Sequence, residues 1–123
     1  MNTATLAELT TQVRQFSDDR DWGRFHSPRN LAMAISVEAS ELLELFLWTT
    51  DEGPQPSPDR TPKVAEEAAD VLILLLNLCD RSGIDLGEAV TAKLAKAARK
   101  YPVDRVKGSA RKYDEYPEWD GER

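Results

Sequence analysis

The most apolar stretch of this chain, Val71-Leu72-Ile73-Leu74-Leu75-Leu76, begins directly after two carboxylates set three residues apart, Glu67 and Asp70. Six large apolar residues in a row leave a helix no polar face for nearly two turns, so the segment has to be covered on every side. An unpaired ionised carboxylate in such surroundings is prohibitively costly. An earlier leucine-rich segment repeats the arrangement, with Glu38 and Glu41 ahead of Leu42, Leu45 and Phe46. If the two segments pack together, four acids converge in one place, and something cationic must sit among them.

The rest of the chain reads as helix. At 123 residues it has room for one domain with a single hydrophobic core. β-Branched residues nowhere alternate with polar ones over a useful length, so no strand is predicted. Leu6, Leu9, Val13 and Phe16 recur with helical period and predict a first helix over about Thr3 to Asp18. Asp19 to Ser27 breaks that period, and Ser27-Pro28 reads as a cap followed by proline at the first helical position. A second helix follows to about Thr49. Asp51 to Pro62 carries Pro54, Pro56, Pro58 and Pro62 and reads as an irregular connection. Thr61-Pro62 repeats the cap-then-proline start and opens a third helix to about Arg81. Asp85-Leu86-Gly87-Glu88 is a capping box for a fourth, which stops at Tyr101-Pro102. The prediction is an all-α, four-helix bundle forming one domain over residues 1–113, with a polar, mobile tail over 114–123. A domain this small cannot cover the third helix alone, so a homo-oligomer completes the bundle.

Composition excludes several classes of partner. A net charge of −6 argues against a nucleic-acid backbone, which selects basic surfaces. No apolar run is long enough to span a bilayer and no signal segment precedes the first helix, so a cytoplasmic protein is expected. Cys79 is the only cysteine, which precludes an intramolecular disulfide and makes it a small core residue.

On a helix, residues three apart lie about 60° from one another, so both carboxylates of a pair point the same way. Among the four acids only Glu67 has a basic residue one turn away, Lys63, whereas Glu44 and Glu66 read as ordinary surface acids. Crowded carboxylates raise one another's pKa unless a cation neutralises them. All-oxygen donors select Mg²⁺, with Mn²⁺ as a substitute, over zinc. A carboxylate-bridged iron site would need Glu-x-x-His pairs, and the single histidine, His26, lies outside both pairs. Magnesium held by acids commonly serves a phosphate substrate, and with no glycine-rich phosphate loop the phosphates must be met by metal, Lys and Arg. Trp22, Phe25 and His26 have two readings: stacking faces with a polar handle for a base, or a staple fixing a loop to the core.

Taken in order, Asp21-Trp22, Phe25-His26, Pro28-Arg29-Asn30-Leu31, Glu38-x-x-Glu41-Leu42-x-Glu44-Leu45-Phe46-x-Trp48, Glu67-x-x-Asp70-Val71-Leu72, Lys93, Tyr101-Pro102 and Ser109-x-Arg111-Lys112-Tyr113 resemble the MazG-like all-α nucleoside triphosphate pyrophosphohydrolases, and within them the dCTP pyrophosphatase branch. The resemblance spans about Leu6 to Tyr116. It implies hydrolysis between the α- and β-phosphates of a (deoxy)nucleoside triphosphate, giving the monophosphate and pyrophosphate. It further implies Mg²⁺ on the catalytic acids Glu38, Glu41, Glu67 and Asp70, and a base and sugar pocket from Trp22, Phe25, His26 and Trp48. Lys93, Arg111 and Lys112 are candidate phosphate partners, with ordinary surface charge the other reading of each. The assembly implied is a tetramer of two dimers. Three positions depart from the branch's pattern: Leu74 stands where a tyrosine is usual, Val13 where a histidine is usual, and Ala97 where an asparagine is widespread. Each removes a hydrogen-bonding group, which relaxes base or sugar discrimination and leaves a strict dCTP preference unsupported.

Overall fold

The computed structural model describes residues 3–50, 52–53 and 55–115, and among these every regular element is helical. Helix α1 (Leu6–Asp19) starts at Thr5, whose hydroxyl accepts the Glu8 backbone N–H at 3.1 Å while the Glu8 carboxylate accepts the Thr5 N–H. This capping box satisfies two orphan donors of the first turn and sets the start at Leu6 rather than Thr3. A short 3₁₀ turn, Trp22–Phe25, follows Asp21, which adopts the left-handed conformation (φ 53°) that Asp tolerates better than most residues. Helix α2 (Pro28–Glu44) begins as its sequence predicts: Ser27 Oγ accepts the Asn30 N–H at 3.1 Å and proline occupies the first turn.

Two boundaries differ from expectation. Helix α2 stops at Glu44, not near Thr49, because the chain tightens into i→i−3 bonds from Leu45 to Leu47 and turns at Trp48 with φ 64°. The freed carbonyls find other donors: Arg60 donates to Leu45 O, and the Thr49 hydroxyl donates to Phe46 O at 2.7 Å. Trp48 therefore lies beyond the end of the helix that carries Glu38 and Glu41. Helix α3 (Thr61–Arg81) has proline in its first turn, but its cap residue is Arg60, since the Thr61 hydroxyl donates backwards to Ser57 O. Helix α4 (Leu86–Lys100), the single turn α5 (Val103–Val106) and a 3₁₀ turn at Tyr113–Glu115 complete the order. The expected polar tail lies outside the described residues from position 116 onward.

The chain forms two compact units, residues 1–85 and 86–123. In the first, α3 packs against both α1 and α2. Its core centres on Leu31, Leu76 and Cys79, with the polar side chains of Ser17 and Asn77 buried beside them. Arg14 of α1 and Asp80 of α3 form a two-pronged ion pair at 2.6 and 2.8 Å. The apolar run of α3 is not covered on every side within one chain: of its six residues only Leu76 is buried, and Ile73 is 46% exposed. Two helices cannot wrap a third. No helix among the described residues is long and apolar enough to cross a membrane.

Candidate active site

The packing of α2 on α3 converts two local acid pairs into one cluster. Glu38, Glu67 and Asp70 each offer a carboxylate oxygen, and these atoms lie within 4.8 Å of one another. Glu38 and Glu67 are half-buried and Asp70 is exposed, so the cluster opens to one side. Glu38 Oε2 and Glu67 Oε2 are fully enclosed and have no hydrogen-bond partner among the described residues. Enclosed carboxylate oxygens without a donor are rare, because each forfeits its hydration without compensation.

The electrostatics follow from that crowding. A hydrogen bond that the protonated Glu38 carboxyl donates to Glu41, burial, and the neighbouring charges of Glu41, Asp70 and Glu67 together push the Glu38 carboxyl up to about 7. A hydrogen bond between two carboxyl groups requires one of them to hold a proton. Glu41 thus joins the site through Glu38, while the three-oxygen cluster itself comes from the other acids. The donor set is all oxygen, two of its residues carry an enclosed, unpartnered oxygen, and one side is open. These properties fit a hard divalent cation such as Mg²⁺ or Mn²⁺. Glu44 and Glu66 are exposed surface acids.

The aromatic residues gather at the turn between α1 and α2. Trp22 meets Phe16 edge to face, with ring centroids 5.7 Å apart, and lies 6.2 Å from the His26 ring. Phe25 is exposed beneath the Arg24 guanidinium, and Trp48 is wholly exposed. His26 Nδ1 is 3.0 Å from Asn77 Nδ2 and 3.2 Å from Ser17 Oγ. Burial, and then the positive charge of Arg81, hold the His26 pKa below its usual value. Ser17 and Asn77 were not singled out from sequence. The available signal was Asn77, the one polar residue in the run Val71–Cys79, placed four before Arg81. Of the departing positions, Val13 on α1 and Leu74 on α3 are half-buried, as is Ala97 on α4. Lys93 on α4, and Arg111 and Lys112 ahead of the last 3₁₀ turn, are exposed and belong to the second unit.

Known proteins share this arrangement of sequence and fold. The dCTP pyrophosphatase 1 of Bos taurus is 42% identical over 116 residues, covering 92% of this chain and 69% of that protein. The dCTP pyrophosphatase 1 of Homo sapiens is also 42% identical, with 68% of it covered. The crystal structure of a pyrophosphatase from Archaeoglobus fulgidus superposes with a TM-score of 0.69 at 44% identity, covering 83% of this chain and 96% of that one. The profile of the MazG-like family matches residues 33–116, which include all four acids. This chain belongs to the MazG-like family.

Proposed function

We propose that this chain is a divalent-metal-dependent nucleoside triphosphate pyrophosphohydrolase. It hydrolyses a (deoxy)nucleoside triphosphate, dCTP or a related pyrimidine nucleotide, to the monophosphate and pyrophosphate, and so removes unwanted nucleotides from the cellular pool. The observation that carries this reading is the convergence of Glu38, Glu67 and Asp70 with two enclosed, unpartnered oxygens. Family membership and the pyrophosphatase relatives support it.

Glu38, Glu67 and Asp70 are the residues that would hold Mg²⁺, with Glu41 beside them. When bound, the ion supplies neutralisation of phosphate charge and orientation of the attacking water. The proton of the hydrogen bond between Glu38 and Glu41 is held by Glu38. The exposed Glu41 carboxylate can accept the proton of a water attacking the α-phosphorus. Trp22, Phe25 and Trp48 offer flat faces to a base, and stacking of this kind is worth about 1–3 kcal/mol per base. Lys93, Arg111 and Lys112 are the residues we assign to the phosphates. The half-covered α3 supports a homo-oligomer, a tetramer of two dimers in this reading.

The test is release of pyrophosphate across a panel of canonical and modified nucleoside triphosphates, with Mg²⁺, with Mn²⁺, and with chelator. Pyrimidine deoxynucleotides are expected to lead, with activity lost on chelation. A flat, near-zero panel in Mg²⁺ would show a helical nucleotide-binding module without catalysis.

A further inference from the structure

Asn77 sits 5% exposed on the most apolar helix, where an unsatisfied amide would be costly, and both ends of its side chain are engaged. Arg81 Nε donates to Asn77 Oδ1 at 2.8 Å. A guanidinium can only donate, which assigns the amide orientation and turns Nδ2 toward His26 Nδ1, 3.0 Å away. The amide nitrogen can also only donate, so Nδ1 must carry a lone pair and no proton. Ser17, 2% exposed, agrees: its Oγ accepts from Arg81 Nη2 at 3.3 Å and has its own proton available for Nδ1 at 3.2 Å. The Arg81 guanidinium also approaches Gly23, where an added Cβ would lie 3.3 Å from Nη2. Helices α1 and α3 thereby both hold the one imidazole, with Arg81 also reaching the turn that follows α1. Among the described residues, both side-chain hydrogen bonds of His26 fall on Nδ1, so Nε2–H is the edge the ring has left for a ligand.

We propose that Asn77 is a positioning residue that, oriented by Arg81, holds His26 as the neutral Nε2–H tautomer, so that the Trp22–His26 corner presents a hydrogen-bond donor to the nucleotide. A donor there favours a carbonyl-type oxygen on the ligand and disfavours an exocyclic amine. This gives the pocket a base-reading group that neither Val13 nor Leu74 supplies. The inference rests on the nucleotide-hydrolysing reading above for its ligand, though not for its chemistry at the ring.

His26 is the only histidine, so its two ring nitrogens are read directly in a long-range ¹H–¹⁵N spectrum of the full chain. The wild type is expected to show an unprotonated Nδ1 and a protonated Nε2 at neutral pH. Asn77→Asp replaces the donor by an acceptor that Arg81 still holds, and should move the proton to Nδ1 or leave the ring doubly protonated. With dCTP and Mg²⁺ the same variant should raise KM roughly five- to tenfold, the worth of one neutral hydrogen bond, with kcat within about twofold. A wild-type ring protonated on Nδ1 overturns the proposal, as does a changed ring with an unchanged KM. If Asn77→Asp fails to fold by circular dichroism, Asn77→Ala should give mixed tautomers, and an unmixed Nε2–H ring overturns the proposal. A wild type that releases no pyrophosphate removes the enzymatic reading alone. The spectra then still decide the tautomer, and dCTP titration of the tryptophan fluorescence replaces KM.

Discussion

Glu38 is where the residue chemistry is most constrained, since its carboxyl is pushed up to about 7 by Glu41, by burial and by two further acids. Four carboxylates gathered without a cation repel one another in the folded state and are relieved by unfolding. Glu67→Gln is therefore expected to raise the melting temperature of the metal-free protein while abolishing the further rise that Mg²⁺ produces in the wild type. Differential scanning fluorimetry with and without Mg²⁺ checks both signs, and a variant that still gains the full Mg²⁺ shift would remove Glu67 from the site. Glu41→Gln should lower turnover by about 10²–10⁴-fold if it takes the proton of the attacking water, with the fold intact by circular dichroism. Asp70→Asn should do at least as much. The acids were legible from sequence because i, i+3 spacing on a helix sets the direction of a side chain locally. The Ser17–His26–Asn77–Arg81 network was not, because Asn77 and His26 are separated by 51 positions and no local pattern links them.

At the scale of the elements, local caps fix where α1 and α2 begin, and an ion pair ties α1 to α3. Ser27 Oγ caps α2, and Ser27→Ala should cost about 1 kcal/mol in denaturant unfolding. Asp80 is held below the usual carboxylate range, first by its hydrogen bond to Arg14 and then by the charges of Arg14 and Arg81, against the opposing effect of burial. The unfolded chain therefore takes up this proton at a higher pH than the folded one. The stabilisation is fully present above the ordinary aspartate pKa, about 3.9, and is lost as pH falls through the lower folded value. Asp80→Asn should be less stable than wild type at pH 7, by no more than about 1 kcal/mol for so exposed a pair, and should show less loss on acidification below about pH 4. His26 adds a second acid-sensitive contribution. Its folded pKa lies below the usual 6.5, so stability declines as pH falls from about 6.5 toward that value. The starts of α2 and α3 were readable from Ser27-Pro28 and Thr61-Pro62 because proline is tolerated only in a first turn. The end of α2 was not, because Arg60 and Thr49, which take up its last carbonyls, act from outside the helix.

For the whole molecule the unsolved surface is apolar. Met33, Val37, Leu43 and Leu47 stand exposed along α2 and its terminal turn, and Ile73 stands exposed on α3. Scattered single residues of this kind need no explanation, but a row on one helix beside a half-covered apolar one does. Sedimentation should find a homo-oligomer, and Val37→Glu should shift it toward monomer with lower stability. A wild type that sediments as monomer at micromolar concentration would remove the oligomer from the reading. The chain's length, its helical periods and its two acid pairs determined by themselves an all-α protein with carboxylates on two helices, because those properties follow from the few residues around each position. Only the tertiary structure decided that Glu38, Glu67 and Asp70 meet within one ion's reach, that α2 ends before an exposed Trp48, and that a buried asparagine governs His26. The reason is physical: convergence depends on how α2 crosses α3, and on which buried donors lack any partner nearer in the chain.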